Sequence, residues 1–184
     1  HNIWIMTDGG IEQYSRSSDD FAIPLDDRGH PILAYSACLT EQGVIFGGRN
    51  RIYRYDYDSR SIKLLLDFSS DPYFAISAIS RWDEETLLCC SRWQGLRLIN
   101  LRSGERRLPP FDCGKEIMAL LIDSHNRIWL APYNEGLRCF NPEGRLLASY
   151  TTDNSGLSNN VVLSMAERDS HCLLYTSDAA DQRS

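Results

Sequence analysis

Four short stretches of this chain are variants of a single strand: Ile3-Trp4-Ile5-Met6-Thr7, Val44-Ile45-Phe46-Gly47-Gly48, Leu87-Leu88-Cys89-Cys90-Ser91 and Ile128-Trp129-Leu130-Ala131-Pro132. With Trp4, Ile45, Leu88 and Trp129 as markers, the stretch recurs after 41, 43 and 41 residues. A period of this length constrains the fold more than any other feature here. Units so small cannot keep an apolar face dry alone, so they must stack on one another.

Each marker stretch leads through a tight turn into a second stretch, at residues 10–14, 51–55, 95–99 and 136–140. Polar and apolar residues alternate there, as in a half-buried antiparallel strand. Gly10, Gly95 and Gly136 open three of the four and give the reversal its backbone freedom. The second unit lacks that glycine, which leaves its turn geometry open. Asn, Asp, Pro and Gly then mark another turn at 56–59, 100–104 and 141–144. Outer strands are expected at 62–66 and 145–150, with residues 21–25 filling that role in the first unit. Inner strands of following units are expected at 75–79, 118–122 and 161–165.

Four strands per unit, with no competing helical period, predict an all-β protein. The expected architecture is a β-propeller fragment of about four four-stranded antiparallel blades with the ring incomplete. The expected blades span approximately 1–25, 32–68, 74–112 and 116–151, and a further blade starts at 160–171.

Both ends read as falling inside a blade. His1-Asn2 stands where His125-Asn126 stands in the fourth unit, and Asp169-Ser170-His171 repeats Asp123-Ser124-His125. From Cys172 the repeat stops. Residues 172–184 resemble a translated transposon-end adaptor and read as a non-native tail, leaving 1–171 as the propeller fragment. The outermost blades are then expected to expose faces that neighbours would cover.

The strands and turns resemble the two-component regulator propeller repeat. Ile3-Trp4-Ile5-Met6-Thr7-Asp8-Gly9-Gly10 follows that family's Ile-Trp-Ile-Gly-Thr-Asp-Gly-Gly pattern with one change, at Met6. The run from Tyr150 through Gly156-Leu157-Ser158-Asn159-Asn160 to Met165 follows its aromatic, Asp/Asn turn, Gly-Leu-Ser-x-Asn and inner-strand pattern. The resemblance covers residues 1–171, strong in the first and fourth units and weak in the second and third, which lack the strand Trp.

What the resemblance implies is the extracytoplasmic, periplasmic part of a hybrid two-component sensor histidine kinase and response regulator. Such a protein detects oligosaccharides and controls transcription of the genes for their use. It also implies as partners the remaining blades and signalling domains of a parent chain that forms a homodimer. No cofactor is implied.

Composition excludes other classes. A net charge of −6 and a pI near 5.2 argue against nucleic acid, which needs a clustered basic face. Arg106-Arg107 is the only adjacent basic pair and reads as a solvated edge. No run approaches a membrane span, and His1-Asn2-Ile3-Trp4 opens the chain inside a strand pattern and does not read as a signal peptide. The six cysteines, at 38, 89, 90, 113, 139 and 172, form no C-x-x-C pair, so no metal site is expected. Cys89 and Cys90 should point to opposite faces of one strand.

A four-stranded blade puts its second-to-third-strand turn on the same face as the connection from its outer strand to the next blade. The turns contribute Asp8, Arg49, Asn50, Arg92, Trp93, Tyr133 and Asn134, and the connections contribute Asp71, Tyr73, Lys115 and Asn154. Aromatics beside Arg and Asn suit a sugar surface, offering flat apolar area plus hydrogen-bond donors. Trp93 and Tyr133 lead that set, with Arg92, Asn134, Arg49 and Asp8. The plain alternative is that these are ordinary polar loop residues, or that Trp93 packs between blades.

Trp4 and Trp129, in second strands, read as blade packing, and Gly10, Gly95 and Gly136 as structural. No catalytic residue stands out. The histidines have no ligand spacing, Asp19-Asp20 and Asp26-Asp27 flank a polar connection, and neither a phosphate loop nor a Gly-x-Ser-x-Gly turn is present. A propeller enzyme and a protein-interaction propeller remain the competing classes.

Overall fold

A computed structural model describes residues 3–7, 9–91, 94–112, 114, 116–168 and 171–176. Among them are seventeen strands and no helix. Hence no helix there is long and apolar enough to cross a membrane.

The first sheet is β1 (Ile3–Thr7), β2 (Gly10–Ser15) and β3 (Asp20–Ala22). The second is β4 (Ser36–Thr40), β5 (Gly43–Gly48), β6 (Arg51–Asp56) and β7 (Ile62–Asp67). The third is β8 (Ile76–Arg81), β9 (Thr86–Ser91), β10 (Gly95–Asn100) and β11 (Arg106–Arg107). The fourth is β12 (Ile117–Ile122), β13 (Ile128–Pro132), β14 (Leu137–Phe140) and β15 (Leu146–Tyr150). β16 (Val162–Arg168) and β17 (His171–Thr176) pair as a fifth. Within each sheet sequence neighbours pair antiparallel, as in a meander, and the sheets form an open row of propeller blades.

The markers occupy equivalent strands, β1, β5, β9 and β13, and each faces the following sheet. Trp4 packs in the apolar layer between sheets one and two with Ile11, Phe46 and Tyr55. Ile45 lies between sheets two and three with Phe74, Ile79 and Cys89. Leu88 lies between sheets three and four with Ile117, Leu130 and Phe140. Trp129 lies between sheets four and five with Leu137 and Val162. Alternation along β9 sends Cys89 to one layer and Cys90 to the other. The core is thus four apolar layers, each shared by two adjacent blades.

Serine stitches cross these layers near the inner strands. Ser36 Oγ accepts from Ile79 N at 3.0 Å, and Ser80 Oγ accepts from Ile122 N at 3.1 Å. Farther along, Ser124 N and Oγ donate to Glu167 of β16, at 2.8 and 2.6 Å.

Turn chemistry repeats as well. Asp56, Asn100 and Asn141 each accept backbone N–H groups across the turn before the outer strand. Asp123 does more: Oδ1 accepts from His125 N and Arg127 N, and Oδ2 from Arg127 Nε at 2.7 Å and Trp129 Nε1 at 2.8 Å.

One expectation needs correcting. The first outer strand is Asp20–Ala22, not 21–25. Pro24 has no N–H for the ladder, and the chain instead reverses through Asp26–Gly29, leaving only a bridge between Leu25 and Pro31. The second unit's turn, whose geometry the sequence leaves open, closes on Arg49 and Asn50 without glycine, because neither residue takes a positive φ there. Beyond residue 171, where the sequence repeat ends, Cys172 to Thr176 pair with β16, since backbone hydrogen bonds do not depend on the repeat's side chains.

Candidate ligand-binding face

The turns between second and third strands meet the connections between blades on one face, the upper face. Arg49 O accepts from Ile76 N and Asn50 O from Phe68 N, each at 2.7 Å. Tyr133 N donates to Glu116 O at 2.8 Å, and Gly136 N to Asn160 O at 2.9 Å. Three of the turns need left-handed backbone. Gly10, Gly95 and Gly136 have φ of 122°, 69° and 77°, and a Cβ on Gly136 would collide with the Tyr150 carbonyl oxygen.

A hydrogen-bonded cluster on this face centres on Asp71, in the connection from sheet two to sheet three. Its carboxylate accepts from Arg106 Nη1 at 2.8 Å and Gln94 Nε2 at 3.1 Å, while Tyr73 N caps it at 3.2 Å. The Arg106 guanidinium also covers the rings of Phe74 and Phe68, 4.7 and 5.3 Å from their centroids. Arg106 and Gln94 therefore hold the Asp71 carboxyl below the usual carboxylate range.

Arg106 is accordingly more than a solvated edge residue. β11 is two residues long, cut short before Pro109 and Pro110, and Arg106 reaches from it to the connection between sheets two and three. Sequence reasoning missed Gln94 and Arg106, because their role exists only once sheet three folds against that connection.

Tyr133 stands 53% exposed and Tyr73 69% exposed, so both present free rings. Asn134 adopts φ 58°, a value Asn tolerates better than most residues, so it serves the turn itself. Arg49 is exposed at the equivalent turn of sheet two. Asp8, Arg92 and Trp93 lie outside the described residues, as does Lys115. Of the sequence candidates, Arg49, Tyr133 and Asn134 thus share this face with Asp71 and Tyr73, each on its own turn or connection.

Trp4 packs edge-on against Phe46 and Tyr55, 5.1 and 4.9 Å away. Trp129 is buried, stacks on Tyr150 and is tied to Asp123. Among the described residues, no three His, Cys, Asp or Glu gather as a metal site.

No family model and no curated protein sequence matches this chain. In three dimensions it is similar to the extracellular domain of BT4673 from B. thetaiotaomicron, described as a one-component system. The TM-score is 0.66 at 21% identity, over 95% of this chain and 26% of that one. It is similar in the same way to the extracellular domain of BT3049 from the same organism, described as a hybrid two-component system. There the TM-score is 0.65 at 16% identity, over 95% of this chain and 24% of that one. The WD40 β-propeller domain of Doa1 matches at TM-score 0.58 and 13% identity, over 95% of this chain and 58% of that one. The chain thus spans about a quarter of the two extracellular domains. These likenesses establish the propeller fold.

Proposed function

We propose that this chain is part of the extracytoplasmic sensing propeller of a hybrid two-component histidine kinase and response regulator. In this reading it binds an oligosaccharide on the upper face and thereby controls transcription of genes for using that sugar. The observation that carries the reading is the blade array's likeness, along 95% of its length, to the extracellular domain of one such system, BT3049. The upper face adds chemical support, since Tyr133 and Tyr73 offer exposed rings on the same face as Asp71, Asn134 and Arg49.

In the same reading the chain itself is not an enzyme. The kinase, a membrane helix and the remaining blades belong to a homodimeric parent, and the propeller lies in the periplasm. The thiols suit such an oxidising compartment. Burial pushes Cys38 up to about 12 and raises Cys90, which suppresses the reactive thiolate. Trp93, Arg92 and Asp8 are proposed to complete the sugar surface.

Isothermal titration of the purified chain with a panel of polysaccharide-derived oligosaccharides tests this. One glycan class should bind saturably, and Tyr133→Ala should weaken it by about tenfold with the fold unchanged. Cleavage of a glycan in the panel would point to a propeller enzyme instead. Absence of binding across the panel would sink the sugar assignment.

A further inference from the structure

The lower face, formed by the hairpin turns opposite the sugar surface, carries a cleft of about 460 Å³ between sheets two and three. One wall is Ile45, its cross-strand partner Arg54, and Leu65 of β7. Arg81 and Leu101 form the other, with Glu41 and Glu84 in the two inner-hairpin turns at the rim.

The charges here are only partly satisfied. Arg102 pairs with Glu85 at 2.5 Å. Arg54 and Arg81 are both half-buried, and neither forms an ion pair with a described carboxylate. Arg81 gives its Nε to the Asp83 carbonyl at 3.3 Å, and Asp56, which senses the Arg54 charge, spends its Oδ1 on Ser59. A guanidinium turned into an interblade cleft loses hydration, and an anion restores what it lost. Glu41 and Glu84 are exposed and likewise without a cationic partner among the described residues. Arg54 and Arg81 are thus less exposed than Glu41 and Glu84, the Glu85–Arg102 pair lines the same cleft, and Ile45, Leu65 and Leu101 give it an aliphatic floor.

We propose that this cleft binds a small zwitterion, an aliphatic α-amino acid or dipeptide. Its carboxylate lies on Arg54 and Arg81, its alkyl side chain on the floor, and its ammonium toward Glu41 and Glu84. Planar guanidinium donors match a carboxylate, and the cleft has the size of small-molecule sites. The exposed carboxylates of Glu41 and Glu84 disfavour polyanions such as nucleotides.

Titration calorimetry of the chain with L-leucyl-L-leucine, L-leucinamide and 4-methylpentanoate tests the assignment. The dipeptide should bind saturably, and Arg54→Gln should weaken it by about tenfold with an unchanged circular dichroism spectrum. Leucinamide, which lacks the carboxylate, should bind about tenfold more weakly, and so should 4-methylpentanoate, which lacks the ammonium. Glu84→Gln should weaken the dipeptide and leave 4-methylpentanoate unaffected. No dipeptide binding at millimolar concentration overturns the proposal, as does equal affinity for either analogue or for the Arg54→Gln chain. Tyr133→Ala should leave this binding intact, which separates its failure from failure of the sugar reading.

Discussion

At the scale of single residues, Asp123 ties a turn, a guanidinium and an indole together through one carboxylate. It is 6% exposed and organises the turn into β13 while fixing the indole of Trp129. Burial alone would raise its pKa, yet hydrogen bonds from Trp129, from Arg127 through backbone and side chain, and from His125 lower it overall. A depressed folded value contributes stability above the unfolded value of about 3.9, lost as pH falls through the folded one. Urea unfolding across this range should therefore show an acid limb that Asp123→Asn flattens. Asp123→Ala, which leaves the buried indole N–H without its acceptor, should cost about 2–3 kcal/mol at neutral pH. A loss within about 0.5 kcal/mol would show the turn to be held by other means.

Among the elements, strands with strong alternation and glycine-flanked turns were legible in advance. β1 and β13 begin and end where the repeat places them, and β5, β6, β9 and β10 differ by a residue. Outer strands were less legible, because their pairing depends on how the chain leaves the blade. Pro24 truncates β3, and Pro109-Pro110 follow a β11 only two residues long. The upper face was legible as a set of loops, but the cluster joins Asp71 of the interblade connection to Gln94 and Arg106 of sheet three, 23 and 35 positions away. No local pattern encodes that meeting. Turn geometry gives a direct test: Gly136→Ala forces a Cβ onto a φ of 77° and against the Tyr150 carbonyl. It should destabilise the chain by at least about 2 kcal/mol in chemical denaturation and loosen β15 first.

Over the whole molecule, stability resides in the layers between sheets more than within any sheet. Leu88 is fully buried in the layer joining sheets three and four. Leu88→Ala should cost about 2–5 kcal/mol, and hydrogen exchange should rise most in β8 to β15, leaving the layer between sheets one and two comparatively protected. Uniform loss of protection along the chain would mean that the row unfolds as one unit.

Because every marker side chain leans toward the next sheet, the row has a sense of travel, and what a blade receives differs from what it hands on. Splicing out one whole period therefore rejoins surfaces already made for each other, whereas removing half a period forces a giving face against another giving face. Growth or shrinkage of such a protein is confined to whole steps by this handedness of contact.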